Sequence, residues 1–194
     1  MRMITQIKNE DALKPFLTDK CEDNGVCAII EASIEEDEIA IVKVDDYYNT
    51  NEKSPNIPPS ADFLISVDCT GDCYVLYVIE FKNIDSPKSF NVRNIREKFR
   101  TTVEDFMSGR FAHIYKNNNY EIKDLLIYFI ADPYRLNRLN ITYDEYKARR
   151  LANGKTDSTK VDNLLAQKPL KFRDKIYIIK YDLPPNPVIR KIAI

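Results

Sequence analysis

Asp62, Glu80 and Lys82 stand at the adjoining ends of two apolar runs in PPSADFLISVDCTGDCYVLYVIEFKN, residues 58–83. Folding the runs into a hairpin about Gly71 sets Asp62 opposite Glu80, Leu64 opposite Val78 and Ser66 opposite Leu76. Directly opposite side chains have Cβ atoms ~4.5–5.5 Å apart. Lys82, two residues beyond Glu80, shares that face. Facing carboxylates repel unless one is protonated, Lys82 neutralises the pair, or a divalent cation binds between them. Hard cations such as Mg2+ take carboxylate and carbonyl oxygens and retain waters, and the Phe81 carbonyl lies between the two charged side chains as a further ligand. A metal there polarises a phosphodiester oxygen and acidifies a bound water. Lys82 would then orient or deprotonate that water, or offset developing negative charge. The arrangement suits metal-dependent phosphodiester hydrolysis, with Mg2+ as the expected ion and Mn2+ as a substitute. A plain salt bridge of Lys82 to Glu80 or Asp62 is the structural alternative. If repulsion is stored here, Asp62→Asn is expected not to lower metal-free stability.

The elements that must position these residues are legible from periodicity. Phe63, Ile65 and Val67 alternate with Leu64 and Ser66, which predicts a strand over 62–67, and a second is predicted over 74–82. Val92, Ile95, Phe99, Val103 and Phe106 recur at helical spacing and predict a helix over 91–108. The continuous apolar run Asp124–Ala131 predicts a central strand covered on both sides. Further strands are expected at 26–33, 38–44 and 175–182, with a short edge strand in the tail. Helices are expected at 10–17, 144–151 and 160–166, and a polar loop at 47–60. Strands, then a helix, then a buried strand describe an α/β fold.

This order resembles the PD-(D/E)XK nuclease superfamily, which includes many restriction endonucleases, junction resolvases and repair nucleases. The resemblance rests on Asp62 at the start of one strand and on Ile79-Glu80-Phe81-Lys82-Asn83 ending the next, followed by a helix from Asn91 and a strand from Asp124. It covers about residues 38–131. Ala61 precedes the acid where the pattern has proline, and Pro58 and Pro59 stand upstream. The resemblance implies a restriction endonuclease-like α/β core, a central mixed β-sheet flanked by helices. It also implies Asp62 and Glu80 as metal ligands, Lys82 as catalytic lysine, and a DNA endonuclease of restriction or repair type. The alternative is a non-catalytic nucleic-acid- or protein-binding module on the same fold.

Other residues carry less. Glu31, in VCAIIEAS, is either a third carboxylate or a solvent-facing strand residue. Asp45 and Asp46 read as strand-end chemistry, and Asp68 and Asp72 as turn formers. Gly154-Lys155-Thr156 lacks the upstream glycine and the strand of a P-loop. His113 is the single histidine, so a histidine-based nuclease or a serine triad has little to work with.

At 194 residues and a net charge of −1, the chain reads as one domain, residues 1–194, with a core over about 26–131 and a basic C-terminal part over 133–194. Residues 1–62 hold 14 acids and 6 bases, whereas residues 133–175 hold 11 bases and 5 acids. The basic part is either a solvated face or a polyanion footprint. Phosphate contacts are expected from Lys88, Arg93, Arg96 and Arg100 near the site, and from Lys147, Arg149, Arg150 and Lys155 farther on. The interleaved tyrosines offer stacking on unpaired bases. The four cysteines match no common zinc spacing and are expected as free thiols in a reducing cytoplasm. The sequence has no signal-peptide layout and no run of membrane length, so a cytoplasmic protein is expected. A homodimer or a partner subunit is expected, because two copies related by a two-fold axis cut a duplex most simply.

Overall fold

Alternation along the central hairpin sets the architecture. Leu64, Tyr74, Leu76, Val78 and Glu80 point to one face, while Phe63, Ile65, Val67, Val75, Tyr77, Ile79 and Phe81 point to the other. Nearly all are buried, so both faces must be covered. The computed structural model describes residues 2–53, 55, 57–70 and 73–191.

The chain opens with helix α1 (Met3–Asn9), then short strands β1 (Leu17–Thr18), β2 (Glu22–Asp23), β3 (Val26–Cys27) and β4 (Ile29–Ile30). Strand β5 (Ile39–Lys43), helix α2 (Val44–Asn51), and strands β6 (Phe63–Thr70) and β7 (Cys73–Lys82) follow. Helix α3 (Val92–Arg100) runs on as a wider, π-wound segment, Thr101–Arg110, into the short α4 (Ala112–Tyr115). Strand β8 (Glu121–Ala131) leads to helices α5 (Leu136–Leu139), α6 (Tyr143–Ala152) and α7 (Lys160–Leu165). Strands β9 (Leu170–Phe172), β10 (Lys175–Tyr177), β11 (Ile179–Asp182) and β12 (Val188–Ile189) complete it.

Six strands form a mixed sheet in the order β1-β5-β6-β7-β8-β11. From β1 to β7 neighbours are antiparallel, and β8 and β11 then add parallel to β7. The protein is thus mixed α/β, as the sequence predicts. The flanking differs from expectation. Residues of α1, α2, α3, the π-wound segment, α4 and α7 pack on the Leu64–Val78 face. The other face is closed by Cys21, Val26, Ala28, Ile30, Ile34 and Ile189, which are extended or irregular, with no helical residue among them. Among the described residues no helix is long and apolar enough to cross a membrane.

Helix α3 starts where Asn91 accepts the backbone N–H groups of Arg93 and Asn94 at 2.9 and 3.2 Å. Its buried residues are Ile95 and Phe99, and Val103 and Phe106 continue that face through the π-wound segment. The strand at 124–131 and the helices at 144–151 and 160–166 lie within a few residues of expectation.

Other expectations are corrected. The helix expected at 10–17 is replaced by α1 upstream, because Pro15 cannot donate within a helix and leaves only the single turn Lys14–Phe16. The first part of the expected loop at 47–60 is helical, with Tyr47 and Tyr48 buried. The strand at 26–33 is two short ribbons, since Ala28 bonds back to Cys21 while Ile29 and Ile30 pair with the tail at Val188 and Ile189. The run 175–182 breaks at Ile178: β10 pairs with β9, and β11 joins the main sheet. Cys69 and Cys73 pair as a disulfide with Cα atoms 5.4 Å apart, not as free thiols, because the hairpin end brings them together. Cys21 and Cys27 remain free. The turn residues Gly71 and Asp72 lie outside the described residues.

Candidate active site

The hairpin register places Leu64 against Val78 and Ser66 against Leu76, and the ladder ends at the pair Phe63 with Ile79. Asp62 and Glu80 are the next opposed positions. At this end the Asp62 carboxylate replaces the ladder, its Oδ2 accepting the Phe81 backbone N–H at 2.7 Å. Asp62 also ties in α2, because its carbonyl accepts the Val44 N–H at 3.0 Å. Glu80 points to the helix-covered face and is fully buried.

Two ammonium groups meet Glu80. Lys82 Nζ lies 2.5 Å from Oε1, and Lys98 Nζ, reaching down from α3, lies 2.8 Å from the same oxygen. Lys98 Nζ also donates to Glu80 Oε2 at 3.0 Å and lies 3.5 Å from Asp62 Oδ1. The contacts to Oε1 are ionic rather than aligned hydrogen bonds, for that oxygen has no well-directed donor among the described residues. Thr102, one turn beyond Lys98, donates its hydroxyl to the Lys98 carbonyl at 3.1 Å and accepts the Ala61 N–H at 3.0 Å. Helix α3 is thereby fixed over the start of β6.

Burial pushes the Glu80 carboxyl up to about 7, the Asp62 charge adds to this, and Lys98 and Lys82 oppose it. Asp45, in the first turn of α2, is raised to about 6 by burial and then by Asp62 and Asp46, against Lys98. Burial works to lower the Lys98 ammonium, but Glu80 and Asp62 together outweigh it and hold it above the usual lysine range.

The sequence-predicted trio Asp62, Glu80 and Lys82 is therefore brought together. Glu31 is not. It is exposed, held by its backbone to Ile189 on the opposite face of the sheet, and lines an open cavity of about 750 Å3 there. Lys98 is the residue that sequence reasoning missed, and Asp45, read there as strand-end chemistry, lies in the first turn of α2 beside the site. Lys98 follows Ile95 by three positions and precedes buried Phe99, so it flanks the apolar stripe; that placement was its only signal.

The expected phosphate contacts divide. Lys88 and Arg93 are exposed, whereas Arg96 and Arg100 turn onto Glu97 at 3.4 and 2.5 Å. Lys147 pairs with Asp144 and Arg150 with Asp157, each at 2.9 Å. Arg149 and Lys155 form no salt bridge with any described residue. Among the interleaved tyrosines, Tyr134 lies 4.7 Å from Tyr146 and 6.0 Å from Tyr143, ring centre to ring centre, in a stacked arrangement.

Fold and site together define a mixed α/β protein with two carboxylates and two ammonium groups at the end of its central hairpin. Comparison with family models, curated proteins and solved structures returned no match.

Proposed function

We propose that the chain is a Mg2+-dependent nuclease with a restriction endonuclease-like core, hydrolysing phosphodiester bonds in DNA. The observation that carries this reading is that Asp62 and Glu80 share one cation, the Lys98 ammonium, at 3.5 and 2.8 Å. That ammonium is a stand-in: two carboxylates that converge on one positive charge suit a hard cation, with the Phe81 carbonyl and waters completing its shell. Among the described residues no group of three or more His, Cys, Asp or Glu side chains is arranged to hold a metal, so waters must supply much of that shell. Asp62 and Glu80 would hold Mg2+ or Mn2+, which would polarise a phosphate oxygen and acidify a bound water. Lys82 is the more exposed of the two lysines, 30% against 16%, and is the one open to a substrate. The order of acid-led strand, E-x-K strand, helix and parallel strand supports the same reading. Paired cuts in a duplex would call for a second copy or a partner subunit.

One observation favours the alternative, a non-catalytic nucleic-acid- or protein-binding module. Lys82 and Lys98 balance Asp62 and Glu80 without any metal. Plasmid and oligonucleotide cleavage in Mg2+, Mn2+ and EDTA decides between them. Metal-dependent cleavage that disappears in Lys82→Ala supports the nuclease; nucleic-acid binding without cleavage in either metal supports the module.

A further inference from the structure

We propose that Lys98 is a built-in competitor for the metal position: its ammonium occupies the point shared by Asp62 and Glu80 and swings out toward Asp45 when a divalent cation enters. The inference rests on the metal-dependent reading of that site.

Three relationships carry it. Lys98 Nζ is the group that touches both carboxylates, whereas the Lys82 contact is with Glu80. The Lys98 ammonium lies between the two carboxylates, 3.5 Å from Asp62 Oδ1 and 2.8 Å from Glu80 Oε1, and so fills the position that a dication bridging them would take, whereas Lys82 meets Glu80 from the side and leaves that position open. The helix itself is held. Thr102 bridges the Lys98 carbonyl to the Ala61 N–H, so the displacement is a rotation of the flexible lysine stem rather than a shift of α3.

Asp45 supplies the second resting place. Its Oδ1 accepts the Asp46 N–H at 2.9 Å, the carboxylate forms no salt bridge with any described residue, and its charge acts on both Lys98 and Asp62. It sits in the first turn of α2, whose start is bonded to the Asp62 carbonyl, so its distance from the site is fixed. Lys98 thus has an anion to move to while remaining on its own helix. The consequence is a site that is closed and charge-balanced when divalent ions are scarce, and open only above a threshold concentration.

The test is Mn2+ binding, followed by electron paramagnetic resonance of the free ion, in the unaltered chain, Lys98→Met, and Lys98→Met combined with Asp62→Asn. Lys98→Met should bind Mn2+ at least about tenfold more tightly, because one repelling unit charge has been removed. The added Asp62→Asn should abolish that gain. Equal affinity with and without Lys98 overturns the competitor and leaves the metal site standing. No binding in either form overturns the metal-dependent reading, and the competitor with it. If Lys98→Met is unfolded in EDTA, Mn2+ should restore its fold, and failure to do so counts against the proposal. In the unaltered chain, reductive methylation of Lys98 read by mass spectrometry should quicken several-fold when Mn2+ is bound; an unchanged rate with bound Mn2+ overturns it.

Discussion

Asp62 Oδ2 accepts the backbone N–H of Phe81 at 2.7 Å, two residues beyond Ile79, the last residue of β7 paired with β6. The side chain thus closes the sheet as well as facing Glu80. Repulsion between facing carboxylates would have made Asp62 a liability in the absence of metal. Lys98 removes that liability, and the Phe81 bond gives Asp62 a structural task of its own.

The stability expectation for Asp62→Asn is therefore revised. Asp62→Ala leaves the Phe81 N–H without its acceptor and removes a charge from beside Lys98, and is expected to cost about 2–4 kcal/mol in EDTA. Asp62→Asn keeps an acceptor oxygen and should lose less than the alanine variant, though still some. Urea denaturation ranks the three; an Ala variant as stable as the unaltered chain would remove the structural role.

Glu80 should give the protein a downward stability slope across neutrality. Its ordinary value is near 4.5, and burial raises it to about 7 in the folded state. Between those values the folded chain still holds a proton that the unfolded chain has released. Stability contributed by this group is thus present at low pH and is lost as pH climbs from about 4.5 through about 7. Its size is on the order of 3 kcal/mol. Glu80→Gln cannot ionise and should lose that part of the slope, so urea midpoints at pH 5 and pH 8 in EDTA should differ less than in the unaltered chain. Identical slopes in both proteins would place the titration elsewhere.

On the nuclease reading, Lys82→Ala separates chemistry from binding. Lys82 pairs with Glu80 and is partly exposed. Its removal should reduce cleavage by at least ~100-fold, the scale of a missing general acid–base or charge-stabilising group, while DNA affinity stays within about twofold. Mobility shift and single-turnover cleavage on one oligonucleotide read both quantities. A parallel drop in binding and cleavage would make Lys82 a phosphate ligand instead.

The hairpin could be read from the sequence because strand alternation and a tight turn are local signals, and the register inferred about Gly71 matches the Leu64–Val78 and Ser66–Leu76 pairs of the structure. The apolar period of α3 is local too, and with it the helix that covers the site. Lys98 could not be read in the same way. A lysine beside an apolar stripe is usually solvent-facing, and only the crossing of α3 over β6 and β7 turns this one inward. Asp45 likewise depends on where α2 docks against Asp62. The break at Ile178 depends on β10 finding β9, and the pairing of the tail with β4 joins residues far apart in sequence. Long-range pairing leaves no local pattern to read.

On the same nuclease reading, the basic C-terminal segment should contribute unequally to nucleic-acid binding. Lys147 and Arg150 already face Asp144 and Asp157, and each also lies over a tyrosine ring, at 4.9 Å from Tyr143 and 5.9 Å from Tyr146. Their charge is partly engaged within the protein, and releasing it for a phosphate breaks existing interactions. Arg149 and Lys155 form no salt bridge with any described residue; the Arg149 charge acts on Glu145 only at longer range. Arg149→Gln with Lys155→Gln is therefore expected to flatten the salt dependence by roughly 0.9 of log–log slope for each phosphate no longer neutralised, across all sequences alike. Lys147→Gln with Arg150→Gln should change the slope less. Cleavage at low salt and high protein concentration should survive both pairs, because the hairpin is untouched. Fluorescence anisotropy over a salt series reads the slopes directly. If the first pair leaves affinity and slope unchanged, α6 is a solvated face, and the substrate path must run past Lys88 and Arg93 at the exposed start of α3.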